Sequence, residues 1–181
     1  MTDEKRLSLN LEALESPGRL LYRDSEIEQI LFNMKNGINT YVYGSIGVGK
    51  TSTIKKVIER FNSSQNKALY VNCSIFQKEY GILQEVVNQI NQNFAQTIFI
   101  QTRSNSDLVR RLKTEKERKF QSMKVVVLDH LQALDEGKIV DCLFEIGFTV
   151  ILVSDEEYAK SKISQLSQRH FASTIEFKNY T

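Results

Sequence analysis

The chain has 181 residues, of which 41% are hydrophobic and 25% charged, with a formal net charge of +2. That length suits one compact domain with a sizeable core, and a balance so near neutral says little about partners. No apolar run approaches the roughly 18 residues of a transmembrane helix, and the charged, polar stretch Met1 to Asn10 argues against a secretory signal. Cys73 and Cys142 lack metal-site or redox spacing and read as reduced core thiols of a cytosolic or nuclear protein.

Residues 1–16 read as a lead-in that ends at Ser16-Pro17-Gly18. A helix is predicted from Asp24, capped by Asp24 or Ser25, with Ile27, Ile30 and Leu31 on one side and Asn36-Gly37 closing it. Strands are predicted over 38–43, 68–72, 124–129, 148–153 and, more weakly, 174–177. Helices are predicted over 50–62, 79–94, 106–118, 136–146 and 156–166. Short apolar strands alternating with amphipathic helices define an α/β fold, a parallel five-stranded sheet with helices on both faces.

Between the first strand and its helix stands Gly44-Ser45-Ile46-Gly47-Val48-Gly49-Lys50-Thr51, which fits GxxxxGK[ST]. Strand, glycine loop and helix in that order are the setting of a P-loop. Glycines let successive backbone N–H groups turn toward one point, the helix N-terminus adds positive potential, and Lys50 supplies a mobile cation. Gly44, Ser45, Ile46, Gly47, Val48, Gly49, Lys50, Thr51 and Ser52 are therefore candidate contacts to the phosphates of ATP. The Thr51 hydroxyl is a candidate Mg²⁺ ligand. Met123 to Asp129 is an apolar strand ending in a carboxylate, as a Walker B strand does, which makes Asp129 the second candidate metal ligand.

Taken together, these segments resemble the origin-recognition and cell-division-control replication initiators, within the AAA+ ATPases. The resemblance runs from about Ser16 to Thr181. It rests on Pro17 through Arg23-Asp24-Ser25-Glu26, the glycine loop, Tyr70-Val71-Asn72-Cys73, Val125 to Asp129, Ile151 to Asp155, and the tail from Ser167-Gln168-Arg169 to Tyr180-Thr181. It implies a base domain over 17–181 with Tyr22 and Arg23 at the adenine side. It further implies partners among other AAA+ initiator subunits, DNA reached through that assembly, and no membrane. The expected location is nuclear in a eukaryote and cytoplasmic in an archaeon.

Three departures from the family pattern bear on activity. The glutamate that usually follows the Walker B aspartate, and activates water, is His130 here. His130 is either a substitute base or a helix-start residue without a catalytic role. The usual sensor asparagine is Asp155, an anion beside the phosphates or else a cap for the next helix. The chain also ends where the family's helical lid and winged helix begin. Arg169 matches the family's arginine finger, with a solvated surface arginine as the plain alternative.

Two further stretches carry a possible DNA contact. The run Arg110, Arg111, Lys113, Lys116, Arg118 and Lys119 is broken by Glu115 and Glu117, and such a mixed run is more often the wet face of a helix. Phe94 to Thr102 interleaves apolar and polar residues where the family carries a DNA-contacting insertion, core burial being the alternative. His170 reads as a packing or surface residue. The whole implies an ATP-binding initiator-like protein with weak or absent hydrolysis. The alternatives are an ATPase with Arg169 acting in trans, or a non-initiator P-loop adaptor.

Overall fold

A computed structural model of the chain describes residues 23–63, 65–93, 104–119 and 123–179. The elements in order are α1 (Asp24–Lys35), β1 (Thr40–Gly44), α2 (Lys50–Phe61), β2 (Lys67–Asn72), α3 (Glu79–Asn93) and α4 (Asn105–Lys119). Then come β3 (Met123–Asp129), α5 (Lys138–Ile146), β4 (Thr149–Ser154), the four-residue α6 (Gln165–Gln168) and β5 (Ser173–Phe177). Short 3₁₀ turns occupy Leu131–Ala133 and Glu157–Lys162. Among the described residues no helix is long and apolar enough to cross a membrane.

The five strands form one sheet in the order β2-β3-β4-β1-β5, and every pairing is parallel. Parallel strands need crossovers, and the helices supply them on both faces. Alternate residues divide each strand between two cores. Val125 and Val127 face the cluster that takes Ile27, Ile30 and Met34 from α1 with Ile54, Val57 and Phe61 from α2. Val126 and Leu128 face the cluster built by Ile82, Val86 and Ile90 of α3, Leu108 and Leu112 of α4, and Ile139 and Leu143 of α5. Because all strands point one way, their carboxyl ends share one sheet edge, where open α/β sheets place their ligands. The glycine loop follows β1 there, Asp129 ends β3, and Asp155 follows β4.

The strands and most helices match the predicted segments to within a residue or two. Three local expectations are corrected. The first helix is capped by Arg23, and no side-chain cap bond forms, so neither Asp24 nor Ser25 plays that part; Asp24 sits in the first turn. Asp155 does not cap a helix either: Glu156 is the extended residue before the next turn. The predicted 156–166 helix is instead a 3₁₀ turn, an extended break at Ile163 and Ser164, and α6. The break follows from tertiary contact. Ile163 is buried in the core, and the Lys162 ammonium is held by the Gln132 carbonyl and, at 2.9 Å, by the Leu134 carbonyl. Ser164 then restarts the chain by accepting the Ser167 N–H.

Candidate functional site

The glycine loop turns tightly because Gly47 and Gly49 take positive φ values of 84° and 90°, a region glycine enters without steric cost. Gly49 is the N-cap of α2, so the free N–H groups of that helix open toward the loop. Lys50 is almost fully buried, and its ammonium has three N–H donors. They meet the carbonyls of Gly44 at 2.7 Å and Ser45 at 2.8 Å, and an Asp155 carboxylate oxygen at 2.8 Å.

Thr51 follows on α2 and donates its hydroxyl to Asp129 Oδ2 at 2.8 Å, joining the loop to the end of β3. The same oxygen accepts the Tyr70 hydroxyl at 2.7 Å. The other Asp129 oxygen accepts the His130 backbone N–H at 2.9 Å. Asp129 is thus a buried carboxylate with three donors, which is the condition for keeping such a group inside. Burial first, and then the bond to Asp129, push the Tyr70 phenol well above its usual range.

His130 caps the Leu131–Ala133 turn at φ 59° and ψ 49°, and among the described residues it alone combines a side chain with positive φ. Left-handed backbone at a non-glycine residue is uncommon and collects at functional sites. The half-exposed imidazole lies between two carboxylates, with Nε2 4.0 Å from Asp129 Oδ2 and Nδ1 3.8 Å from Asp155 Oδ2. Gln132, one turn on, donates to Asp155 Oδ2 at 2.6 Å and accepts the Ser154 hydroxyl at 3.1 Å and the Asp155 N–H at 3.3 Å.

The structure therefore brings Gly44, Ser45, Lys50, Thr51, Asp129, His130 and Asp155 together. Arg23 stands behind the loop: its guanidinium is buried, donates to the carbonyls of Val48 at 3.1 Å and Lys178 at 2.6 Å, and pairs with Glu26 at 2.7 Å. Ile46 is 83% exposed on the crest of the loop, and Ser52 is exposed on α2. Arg169 is exposed at the end of α6 and takes no part in the bonding around Lys50. His170 packs its ring against Phe144 with centroids 5.1 Å apart. Tyr22, Phe94 to Thr102, residues 1–16 and the last two residues of the tail lie outside the described residues.

Of the basic run, Arg110 pairs with Asp107 at 3.2 Å on an exposed face. Lys116 turns inward instead, donating to the Gly147 carbonyl at 2.6 Å and lying 5.2 Å from the Phe148 ring centre. Burial pushes its pKa down. Both cysteines are free thiols. Cys73 is fully buried, and desolvation with help from Asp129 raises its pKa to about 12. Cys142 donates to Glu79 at 3.3 Å, and burial followed by that bond likewise raises it to about 12.

Sequence reasoning assigned no role to Tyr70 or Gln132 and did not foresee the Lys50–Asp155 pair. Tyr70 carried a faint signal, a polar-tipped ring in the strand that neighbours the Asp129 strand. Gln132 carried none.

A threonine hydroxyl and a carboxylate 2.8 Å apart are hard oxygen donors, and they fit Mg²⁺. Among the described residues no group of three or more His, Cys, Asp or Glu could hold a metal alone. Mg²⁺ commonly needs none, because one or two protein ligands act together with substrate phosphates.

A parallel sheet of this order, with a glycine loop between its first strand and helix and an aspartate ending the strand two places away, defines a P-loop nucleoside-triphosphatase fold. The AAA domain family matches residues 34–162, and the chain belongs to that family. It is similar to the ORC1-type DNA replication protein of Thermococcus onnurineus, 27% identical over 97% of this chain and 44% of the relative. ORC1-type DNA replication protein 1 of Haloarcula marismortui is 33% identical over 40% of this chain and 20% of its own length. The chain thus spans less than half the length of these relatives. Among solved structures, Cdc6p from Pyrobaculum aerophilum superposes with a TM-score of 0.76 at 19% identity, over 94% of this chain and 50% of that one. A Drosophila ORC chain, from a complex bound to DNA, gives 0.67 at 15% identity over 98% and 47%. The expected likeness to origin-recognition and cell-division-control proteins is borne out, as are the fold class and the five-stranded parallel sheet.

Proposed function

We propose that this chain is the nucleotide-binding base of a replication initiator, taking ATP with Mg²⁺ as a ligand for assembly and hydrolysing it weakly or not at all. The observation that carries the reading is the Thr51–Asp129 bond, which joins the glycine loop to the end of β3 with Lys50 beside it. The loop N–H groups and Lys50 hold the phosphates, Thr51 and Asp129 hold the metal, and Arg23 braces the loop from behind. Magnesium, when bound, neutralises charge on the phosphate oxygens.

Weak hydrolysis follows from what stands after Asp129. General-base catalysis contributes about 10²–10⁴-fold, and its usual glutamate is replaced by His130. The relatives named as ORC1-type replication proteins support the initiator role, and the DNA-bound Drosophila complex supports a partner made of similar subunits on DNA. On this reading the protein works in the nucleus of a eukaryote or the cytoplasm of an archaeon. Titration calorimetry with ATP and Mg²⁺ on wild type and Lys50→Ala tests it. Binding in the wild type and its loss in the variant are expected, and a wild type without affinity ends the proposal.

A second reading, an active ATPase, is favoured by the strained backbone of His130 and the carboxylates on either side of its ring. There His130 positions water, and Arg169 of a neighbouring copy stabilises the leaving charge. Turnover of His130→Glu separates the two: a large gain supports an impaired native site, and a loss supports a working imidazole. For Arg169, turnover that rises with protein concentration and disappears in Arg169→Ala is the signature.

A further inference from the structure

Lys50 holds its carboxylate partner where a terminal phosphate would compete for it. All three ammonium donors are engaged, two by loop carbonyls and one by Asp155 at 2.8 Å. A P-loop lysine reaches the β- and γ-phosphates, so a nucleotide entering this loop must share the ammonium with Asp155. The carboxylate is also tethered. Gln132 donates to its far oxygen at 2.6 Å, while Ser154 and the Asp155 N–H hold the Gln132 amide in place. The chain beyond it is pinned by the Tyr41 hydroxyl on the Glu156 carbonyl at 2.6 Å. Asp155 is a partly buried, fixed anion, and the strand it follows lies directly beside β1 in the sheet.

We propose that Asp155 sets the pocket's choice between diphosphate and triphosphate, disfavouring the longer chain by occupying Lys50 and repelling the terminal phosphate. The inference rests on the nucleotide-binding reading and adds a regulation to it. A diphosphate meets Lys50 with one phosphate fewer facing the carboxylate. A triphosphate brings its most highly charged group to the end of β4, where like charges a few ångströms apart repel strongly in a partly desolvated site. A counter-charge brought up to Asp155 then favours the triphosphate over the diphosphate.

The test is titration calorimetry with Mg²⁺, using ADP and a non-hydrolysable ATP analogue, on wild type, Asp155→Asn and Asp155→Ala. Thermal melts report that each variant folds. In the wild type ADP binds at least as tightly as the analogue. Both variants move the ratio of the two affinities toward the triphosphate by about tenfold, the size expected for removing one nearby like charge at partial burial. A purely structural Asp155 would change both affinities alike and leave the ratio where it was, which overturns the proposal while leaving nucleotide binding intact. A ratio moved toward ADP would show Asp155 helping to hold the terminal phosphate and also overturns it. No binding of either nucleotide, in wild type or variants, overturns both this proposal and the reading beneath it.

Discussion

Arg23→Met removes a buried guanidinium while keeping most of the side-chain volume. The group bonds the Val48 carbonyl of the glycine loop, the Lys178 carbonyl after β5 and the Glu26 carboxylate, and it stacks 4.9 Å from the centre of the Phe177 ring. Hydrogen bonds to charged groups contribute roughly 1.5–3 kcal/mol each, and a cation over a ring about 0.5–2 kcal/mol. The contacts share one group and do not add, so the net loss expected is about 3–5 kcal/mol, as for breaking a buried charged pair. For a chain of this size each kcal/mol lowers Tm by about 2–4 °C, which gives a fall of ~6–20 °C. Calorimetric melts of wild type, Arg23→Met and Arg23→Lys measure it. Lysine should recover only part, since the acceptors are divided between the two terminal nitrogens of the guanidinium fork, and a single ammonium nitrogen cannot stand in both places. A Met variant melting within about 2 °C of wild type would refute the claim that the loop is braced through Arg23.

Three further outcomes are expected. In Gly44→Ala the new Cβ would lie 2.4 Å from the Phe177 carbonyl oxygen and 2.9 Å from its Cβ, so β5 must move away from β1. Overpacking of this kind costs about 1–3 kcal/mol, visible as a Tm several degrees lower, and an unchanged Tm contradicts the close approach. Tyr70→Phe removes one of three donors to Asp129, and should weaken Mg²⁺-dependent nucleotide binding while sparing binding measured in EDTA; equal loss in both buffers argues against a role through Asp129. Cys73 and Cys142, both raised to about 12, remain thiols at pH 8 and should resist iodoacetamide until the protein is unfolded. Because a raised thiol favours the neutral folded form, their contribution to stability is present below the ordinary thiol pKa near 9 and is lost as pH climbs toward 12. Rapid labelling of Cys73 in native protein at pH 8 would show that thiol more accessible than the structure places it.

Local features were legible wherever contiguous residues carry the geometry. Glycines at 44, 47 and 49 with Lys50 and Thr51 specify the glycine-loop turn and the helix after it because the turn, the helix start and the cation all lie within eight residues. Apolar runs such as Val125 to Leu128 specify buried parallel strands because both faces must be covered. The 156–166 segment failed for the opposite reason. Its helical pattern is real, but Ile163 is taken by the core and Lys162 by carbonyls of the turn after β3, and tertiary packing overrides propensity.

The amino-acid sequence alone determined the class of fold, the loop, the candidate metal ligands Thr51 and Asp129, and the substitutions His130 and Asp155. What the tertiary structure decided is which of these touch, and that depended on strand order. With β1 between β4 and β5, and β3 between β2 and β4, the sheet brings Arg23 to Lys178 across 155 positions, Thr51 to Asp129 across 78 and Tyr70 to Asp129 across 59. No local pattern encodes such pairings, because the partners meet only when separate crossovers deliver their strands to the same edge. The pairing of Lys50 with Asp155 belongs to that second kind, and it places the charge of an otherwise unexplained substitution against the lysine of the glycine loop.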